Sequence, residues 1–424
     1  SPFLPTPGPN MLNLALQFLS FRTSFAQNVP LDLVLLTDAQ GKEKGAVCLD
    51  GSNPGFYITK GSGSGANKWV LYFKGGGWCY TEESCAQRAK TDLGSSTKFA
   101  KTFAFSGIMD SQASVNPTFA NYNRVVMYYC DGASFSGNAD AISNTTGLPL
   151  HFRGKRVLNA MLDTLMTTAH GLADATDVLL SGGSAGGLST FLHADHVHSR
   201  LLQGAKGLTR FKAAPVSGFF LLHATAKAAG GDMLYPDEMK YVYHMQNSSG
   251  GVNANCAAAM AATPLEAWRC IFANYSYAHT AAPIFPINSA IDAWQMGNVW
   301  KGDNTCAKDN FKNCSAQEVQ DLNGYMSDFL RDLATSGPTA SRAGNGAFIE
   351  SCLEHCGEQT GANFDGYSLP PTAPTVTMQQ AVTNWWNAPL TDSASKHTYL
   401  PGCVLNTAAP HQCNPTCVKS GCSV

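Results

Sequence analysis

The chain is poor in charge. Only 14% of its 424 residues are Asp, Glu, Lys or Arg, and 30 acidic against 28 basic side chains leave a formal net charge of −2. No global field is available to recruit nucleic acid or an anionic membrane surface, and neither is expected as a partner. There is no run of eighteen apolar residues, so no spanning helix is expected. No internal repeat is present, which excludes a solenoid. In place of charge the chain carries 40 glycines and many small polar residues, the composition of a rigid, loop-rich extracellular protein.

Cysteine is plentiful, at 14 residues, an even number. Four Asn-x-Ser/Thr sequons, at Asn144, Asn247, Asn274 and Asn313, join the cysteines in favouring the secretory route and disulfides. Residues 11–26 (MLNLALQFLSFRTSFA) have the apolar core and small terminal residue of a signal-peptide remnant but no basic start. An amphipathic N-terminal helix fits them equally. The expected organisation is an extension or signal remnant over 1–28, then one domain over 29–424. That domain holds a helical cap or insertion at about 224–282 and a cysteine-rich tail at 403–422. A monomer is expected.

Apolar runs predict strands over 29–37, 46–51, 56–59, 69–73, 125–129, 177–180, 211–222, 283–289 and 347–349. Pro215 marks the 211–222 run as an edge or irregular strand. Val157, Leu158, Met161, Leu162, Leu165 and Met166 recur at helical spacing, and helices are also expected over 188–202 and 378–386. Strands alternating with helices imply an α/β fold with a mostly parallel sheet flanked by helices.

Between the 177–180 strand and the 188–202 helix lies Gly182-Gly183-Ser184-Ala185-Gly186, the G-x-S-x-G pattern of a nucleophile elbow. A serine on a sharp strand-to-helix turn has strained backbone angles, and glycine two residues to either side removes side chains that would clash. Ser184 is the candidate nucleophile. The Ala185 amide, at a helix N-terminus, is a candidate anion donor.

A serine hydroxyl needs a base, and the base an orienting carboxylate, in the chain order Ser, Asp or Glu, His. Asp292 follows the 283–289 strand and His355 follows the 347–349 strand, which makes them the candidate acid and base. His193, His196 and His198 lie on the elbow helix, and His397 and His411 follow no strand. Cys352, His355 and Cys356 could instead ligate zinc, but oxidised cysteines are favoured in a secreted chain, so no metal and no cofactor are expected. Gly75-Gly76-Gly77 follows a buried strand and matches an oxyanion loop, with Gly76, Gly77 and Ala185 as its donors. Cys79–Cys85 is the expected disulfide fixing that loop. Trp78 and Arg153 are the candidate substrate-binding residues. Arg153 lies in the basic stretch His151-Phe152-Arg153-Gly154-Lys155-Arg156, and an arginine fork suits a uronate carboxylate.

Several longer segments resemble the plant-type pectin acetylesterases, with the animal Notum carboxylesterases as more distant relatives. These are Gly45-Ala46-Val47-Cys48-Leu49-Asp50-Gly51-Ser52, Gly75-Gly76-Gly77-Trp78-Cys79, Leu93-Gly94-Ser95-Ser96, Tyr129-Cys130-Asp131-Gly132, His151-Phe152-Arg153-Gly154 and Cys413-Asn414-Pro415-Thr416-Cys417. The resemblance implies an α/β-hydrolase fold, secretion and a triad on Ser184, Asp292 and His355. The chain departs from the pattern at Lys74, where plant relatives usually carry an acid, and across 224–282. The expectation is a secreted serine esterase of the cell wall that removes acetyl groups from a polysaccharide, with pectin as the leading substrate. The rivals are a Notum-like deacylase of lipidated protein and an inactive carbohydrate-binding protein on a hydrolase fold.

Overall fold

The computed structural model describes residues 28–302, 314–336, 341–359, 361–369, 375–401 and 416–417. The expected leader segment, most of the cysteine-rich tail and the Asn313 sequon lie outside them.

Ten strands form one sheet: β1 (Leu31–Leu35), β2 (Gly55–Thr59), β3 (Lys68–Phe73), β4 (Thr102–Phe103), β5 (Asn123–Tyr128), β8 (Asp177–Gly183), β9 (Arg210–Val216), β10 (Ile287–Ser289), β11 (Ala347–Glu350) and β14 (Thr398–Tyr399). Two small hairpins, β6 (Ile142–Ser143) with β7 (Leu150–His151) and β12 (Ser368–Leu369) with β13 (Val376–Thr377), stand apart. The sheet order is β14-β11-β10-β9-β8-β3-β5-β2-β1-β4. From β14 to β5 every pairing is parallel, and the β5–β2, β2–β1 and β1–β4 pairings are antiparallel.

The central strands are buried at nearly every position because both faces of the sheet are covered. Trp69, Leu71 and Phe73 of β3 enter one core with Val178 and Leu180 of β8, whereas Val70, Tyr72 and Leu179 enter the other. Helices Gly154–Leu165 and Ala185–Gly204 cover the first face, and helix Met378–Asn387, through Trp385 and Trp386, covers the second. Each fully buried aliphatic or aromatic side chain contributes about 1.5–3 kcal/mol.

Two expectations are corrected, and one helix comes in addition. Residues 46–51 form no strand: the segment is a loop tied to the end of β5 by the Cys48–Cys130 disulfide and the Leu49 N–H to Cys130 carbonyl bond. Pro215 sits in an interior strand, not at an edge. The N–H groups of Ala213 and Ser217 donate toward β10, so Pro215's missing N–H falls on that side, where the ladder shrinks to the single pair Ile287↔Val216. The 20-residue helix Ala316–Thr335 was not expected, although its Ser315…Glu318 capping box is legible. The 224–282 stretch holds helices Leu234–Met245, Ala254–Ala259 and Ala273–His279.

The chain runs from β3 outward to β5 and then returns to place β8 on the other side of β3. Strand order therefore reverses between β3 and β8, the place where open α/β sheets form a crevice at the carboxyl ends of their strands. The loops after β3, β8, β10 and β11 all leave from that end.

Candidate active site

Ser184 follows β8 and stands at the N-cap of the helix Ala185–Gly204 with φ 58° and ψ −127°. Such a conformation costs a non-glycine residue roughly 1–3 kcal/mol. The surroundings impose it. A Cβ on Gly182 would lie 2.3 Å from the Gly186 carbonyl oxygen, and one on Gly186 would lie 2.0 Å from that of Phe73. No larger residue fits, and the turn closes against β3. The Ser184 N–H donates to the Val216 carbonyl at 3.0 Å, which pins the elbow to the end of β9.

Asp292 caps the short helix Ala293–Gln295 that follows β10. Its carboxylate is fully buried. One oxygen accepts the Gln295 N–H at 3.0 Å, and the other accepts from His355 Nδ1 at 2.7 Å. Backbone bonds zip the two loops together on either side of this pair: Ala290 N–H donates to the Glu350 carbonyl and Ala293 N–H to that of Glu354, both at 2.9 Å. His355 Nε2 is buried with no hydrogen-bond partner among the described residues.

The base loop lies against the elbow. The Cys356 N–H donates to Ser217 Oγ at 2.8 Å, one residue beyond the carbonyl that holds Ser184. A Cβ on Gly183 would come within 3.3 Å of Cys356 Sγ. The residue before Ser184 thus packs on the residue after His355.

Gly75 closes the opposite side, since a Cβ there would stand 2.9 Å from Ser184 Cβ. Gly76 and Gly77 follow at φ 138° and 63°. The N–H groups of Gly76, Gly77 and Ala185 make no hydrogen bond among the described residues. Cys79 and Cys85 are bonded, as expected, beneath this loop. Trp78 Nε1 donates to Ser134 Oγ at 2.7 Å, and that hydroxyl donates to the Ala185 carbonyl at 2.8 Å, which joins the glycine loop to the start of the elbow helix.

Trp78 also belongs to an aromatic wall that sequence reasoning missed. Its ring meets Phe220 at 5.0 Å and Trp294 at 5.6 Å between centroids, and Tyr235 meets Trp294 at 5.8 Å. Phe220 and Trp294 reach the His355 ring at 6.2 and 6.4 Å. The four rings come from four separate segments, and the only sequence signal is Phe219-Phe220-Leu221-Leu222 continuing beyond the end of a strand.

A buried carboxyl group lies on each side of His355 in the chain, and a third, Glu350, ends β11. Burial first, and the neighbouring carboxylates next, raise Glu350. Burial pushes Glu354 up to about 7 and Glu358 up to about 8. Glu354 accepts from Asn363 Nδ2 at 3.1 Å, and Glu358 from the Tyr72 hydroxyl at 2.7 Å.

Arg153 is not presented to this site. Its guanidinium, 8% exposed, donates to the Asp140 carbonyl at 2.5 Å and pairs with the Asp140 carboxylate at 3.5 Å. Asp140, on a loop folded back over the helix start, engages both Arg153 and Arg156, so the expected uronate contact at Arg153 is corrected. The zinc alternative is corrected too: Cys352 is bonded to Cys417, and neither sulfur is a thiolate. Glu350, Cys352 and Cys417 are the one close grouping of ligand atoms among the described residues, and with the disulfide formed only a carboxylate remains.

Fold and site together are those of an α/β-hydrolase: a mainly parallel sheet whose strained serine, buried histidine–carboxylate pair and glycine loop meet at the strand ends. Residues 24–418 match the pectinacetylesterase family, and the chain belongs to it. It is 37% identical to pectin acetylesterase 11 of Arabidopsis thaliana over 88% of this chain and 90% of that protein. It is 27% identical to the human palmitoleoyl-protein carboxylesterase NOTUM, over 87% of this chain and 70% of that one. The Wnt deacylase Notum from Drosophila shares the fold at a TM-score of 0.72 and 21% identity, covering 92% of this chain and all of that one. The chain is a carboxylic ester hydrolase.

Proposed function

We propose that the chain removes O-acetyl groups from an acidic cell-wall polysaccharide, pectin, through Ser184, His355 and Asp292. His355 Nε2 takes the proton of Ser184 Oγ as that oxygen attacks the acetyl carbonyl carbon. The Gly76, Gly77 and Ala185 amides receive the oxyanion, and Asp292 holds the imidazole with Nε2 turned to the serine and stabilises its cation. His355 then gives the proton to the departing sugar oxygen. Water, activated by the same imidazole, releases acetate from the acyl-enzyme. The observation that carries this reading is the 2.7 Å Asp292–His355 bond with Nε2 left unpartnered, on a loop fastened beside the elbow.

Substrate class rests on the pectin acetylesterase relatives and on the aromatic wall. The rings of Trp78, Phe220 and Trp294 contact one another beside His355 and fill that side of the site, which suits a short acyl group. A long acyl chain bound on that side would need the space open. Disulfides and the exposed sequons at Asn144 and Asn247 support an extracellular location. The test is labelling of Ser184 by a fluorophosphonate, followed by an ester series of increasing acyl length. Failure to label Ser184 overturns the mechanism. A preference for long chains overturns the substrate class.

A further inference from the structure

A cavity of about 510 Å³ lies beside the elbow on the side away from the aromatic wall, within the roughly 300–1,000 Å³ range of ligand sites. Lys74, Gln359, Asn28, Ser106, Phe103 and Phe105 line it. Two of these residues touch the catalytic framework. Lys74 precedes Gly75, whose Cα faces Ser184 Cβ, and Gln359 Nε2 stands where a Cβ on Gly183 would come within 2.5 Å.

Lys74 makes no ion pair among the described residues. Its Nζ donates to the Gly75 carbonyl at 3.2 Å and lies 5.8 Å from the Tyr128 ring centroid. The Asp92 carboxylate acts favourably on it but is engaged by the Tyr128 hydroxyl at 2.5 Å. Burial lowers the Lys74 pKa, and Arg88 adds to the effect. A half-buried ammonium with no ion pair among the described residues, facing an open cavity, is an arrangement that an incoming anion stabilises.

We propose that this cavity is a subsite for the carboxylate of a uronate residue flanking the acetylated sugar, with Lys74 as its cationic partner and the Gln359 amide as a second donor. The subsite rests on the polysaccharide-deacetylase reading and deepens it. It assigns to Lys74 the recognition that the sequence suggested for Arg153. The two rings and the hydroxyl of Ser106 give the remaining wall the mixed apolar and polar character that a sugar face requires.

The experiment has two arms. In the first, trigalacturonate and its methyl ester are titrated against the wild-type protein by calorimetry. Trigalacturonate should bind about tenfold tighter, with the difference shrinking as salt rises. In the second, Lys74→Met should erase that difference and Lys74→Arg should keep most of it. The ratio of kcat/KM on acetylated polygalacturonate to that on 4-nitrophenyl acetate should fall about tenfold in Lys74→Met. Equal binding of acid and ester by the wild type, or an unchanged ratio in Lys74→Met while the polymer is still deacetylated, overturns the subsite and leaves the deacetylase reading standing. Lys74-dependent binding of trigalacturonate by a protein that does not deacetylate the polymer supports the subsite and overturns the deacetylase reading.

Discussion

The backbone N–H of Cys356 donates to the Oγ of Ser217 at 2.8 Å, and Ser217 holds a positive φ of 44° to receive it. This bond fastens the histidine loop to the end of β9, directly beyond the carbonyl that fixes Ser184. Ser217→Ala should therefore lower kcat by about tenfold with little change in KM, because a small displacement of the base costs rate rather than binding. An unaltered kcat would show that the other loop contacts position His355 without it.

Ser184→Ala, His355→Ala and Asp292→Asn should each lower kcat by roughly 10³-fold or more, and the losses should not add. Ser184→Gly should be equally inactive but melt higher than Ser184→Ala, since glycine accepts φ 58° at little cost. Thermal melts of the two variants decide this. Full activity in Asp292→Asn would transfer the acid's role elsewhere, and buried Glu354 would be the residue to examine next.

The aromatic wall should set acyl length. Trp294 is partly exposed and touches both Phe220 and His355. Trp294→Ala should raise the butyryl-to-acetyl ratio of kcat/KM by about tenfold. An identical acyl profile in wild type and variant would locate the acyl group on another face.

Folding stability should fall as pH rises because of the buried carboxyl groups. Glu358 is pushed up to about 8 and Glu354 to about 7 by burial, against about 4.3 for an unfolded glutamate. Between these values the folded state holds protons that the unfolded state has released. These groups therefore destabilise progressively from about pH 4.3 up to about 8. Glu358→Gln removes one of them, so its melting temperature should exceed that of the wild type at pH 8.5 and approach it at pH 5. The comparison within a pair cancels groups that titrate oppositely, such as the half-buried His196, lowered to about 3 mainly by desolvation. A constant difference across pH would place the Glu358 proton outside this account.

The elbow was legible in the sequence because its strain admits only glycine at fixed offsets, and the close approaches at Gly182 and Gly186 show why. The expectations for Asp292 and His355 came from strand order and agreed with the family resemblance, and the structure brings the two side chains together. Arg153 misled because a basic stretch at a helix start reads as a surface seeking an anion. Whether a distant loop supplies that anion, as Asp140 does, is a tertiary fact with no local signature. Pro215 misled for a related reason: proline removes a donor from only one side of a strand, so an interior strand can hold it where one neighbour has fallen away. The aromatic wall was unreadable because Trp78, Phe220, Tyr235 and Trp294 share no spacing.

The Cys352–Cys417 bond reaches across 65 residues to anchor the loop that carries His355. Closing so long a loop removes roughly 4–5 kcal/mol of unfolded-chain entropy in the chain-entropy account. It also orders events in time. While the ribosome is still making the residues between 352 and 417, the serine, its glycine turn and the oxyanion loop are already synthesised but the histidine loop is not yet tethered. In a reducing compartment it stays so. An esterase built this way completes the tether of its histidine loop only after synthesis has passed Cys417 and the chain has met an oxidant.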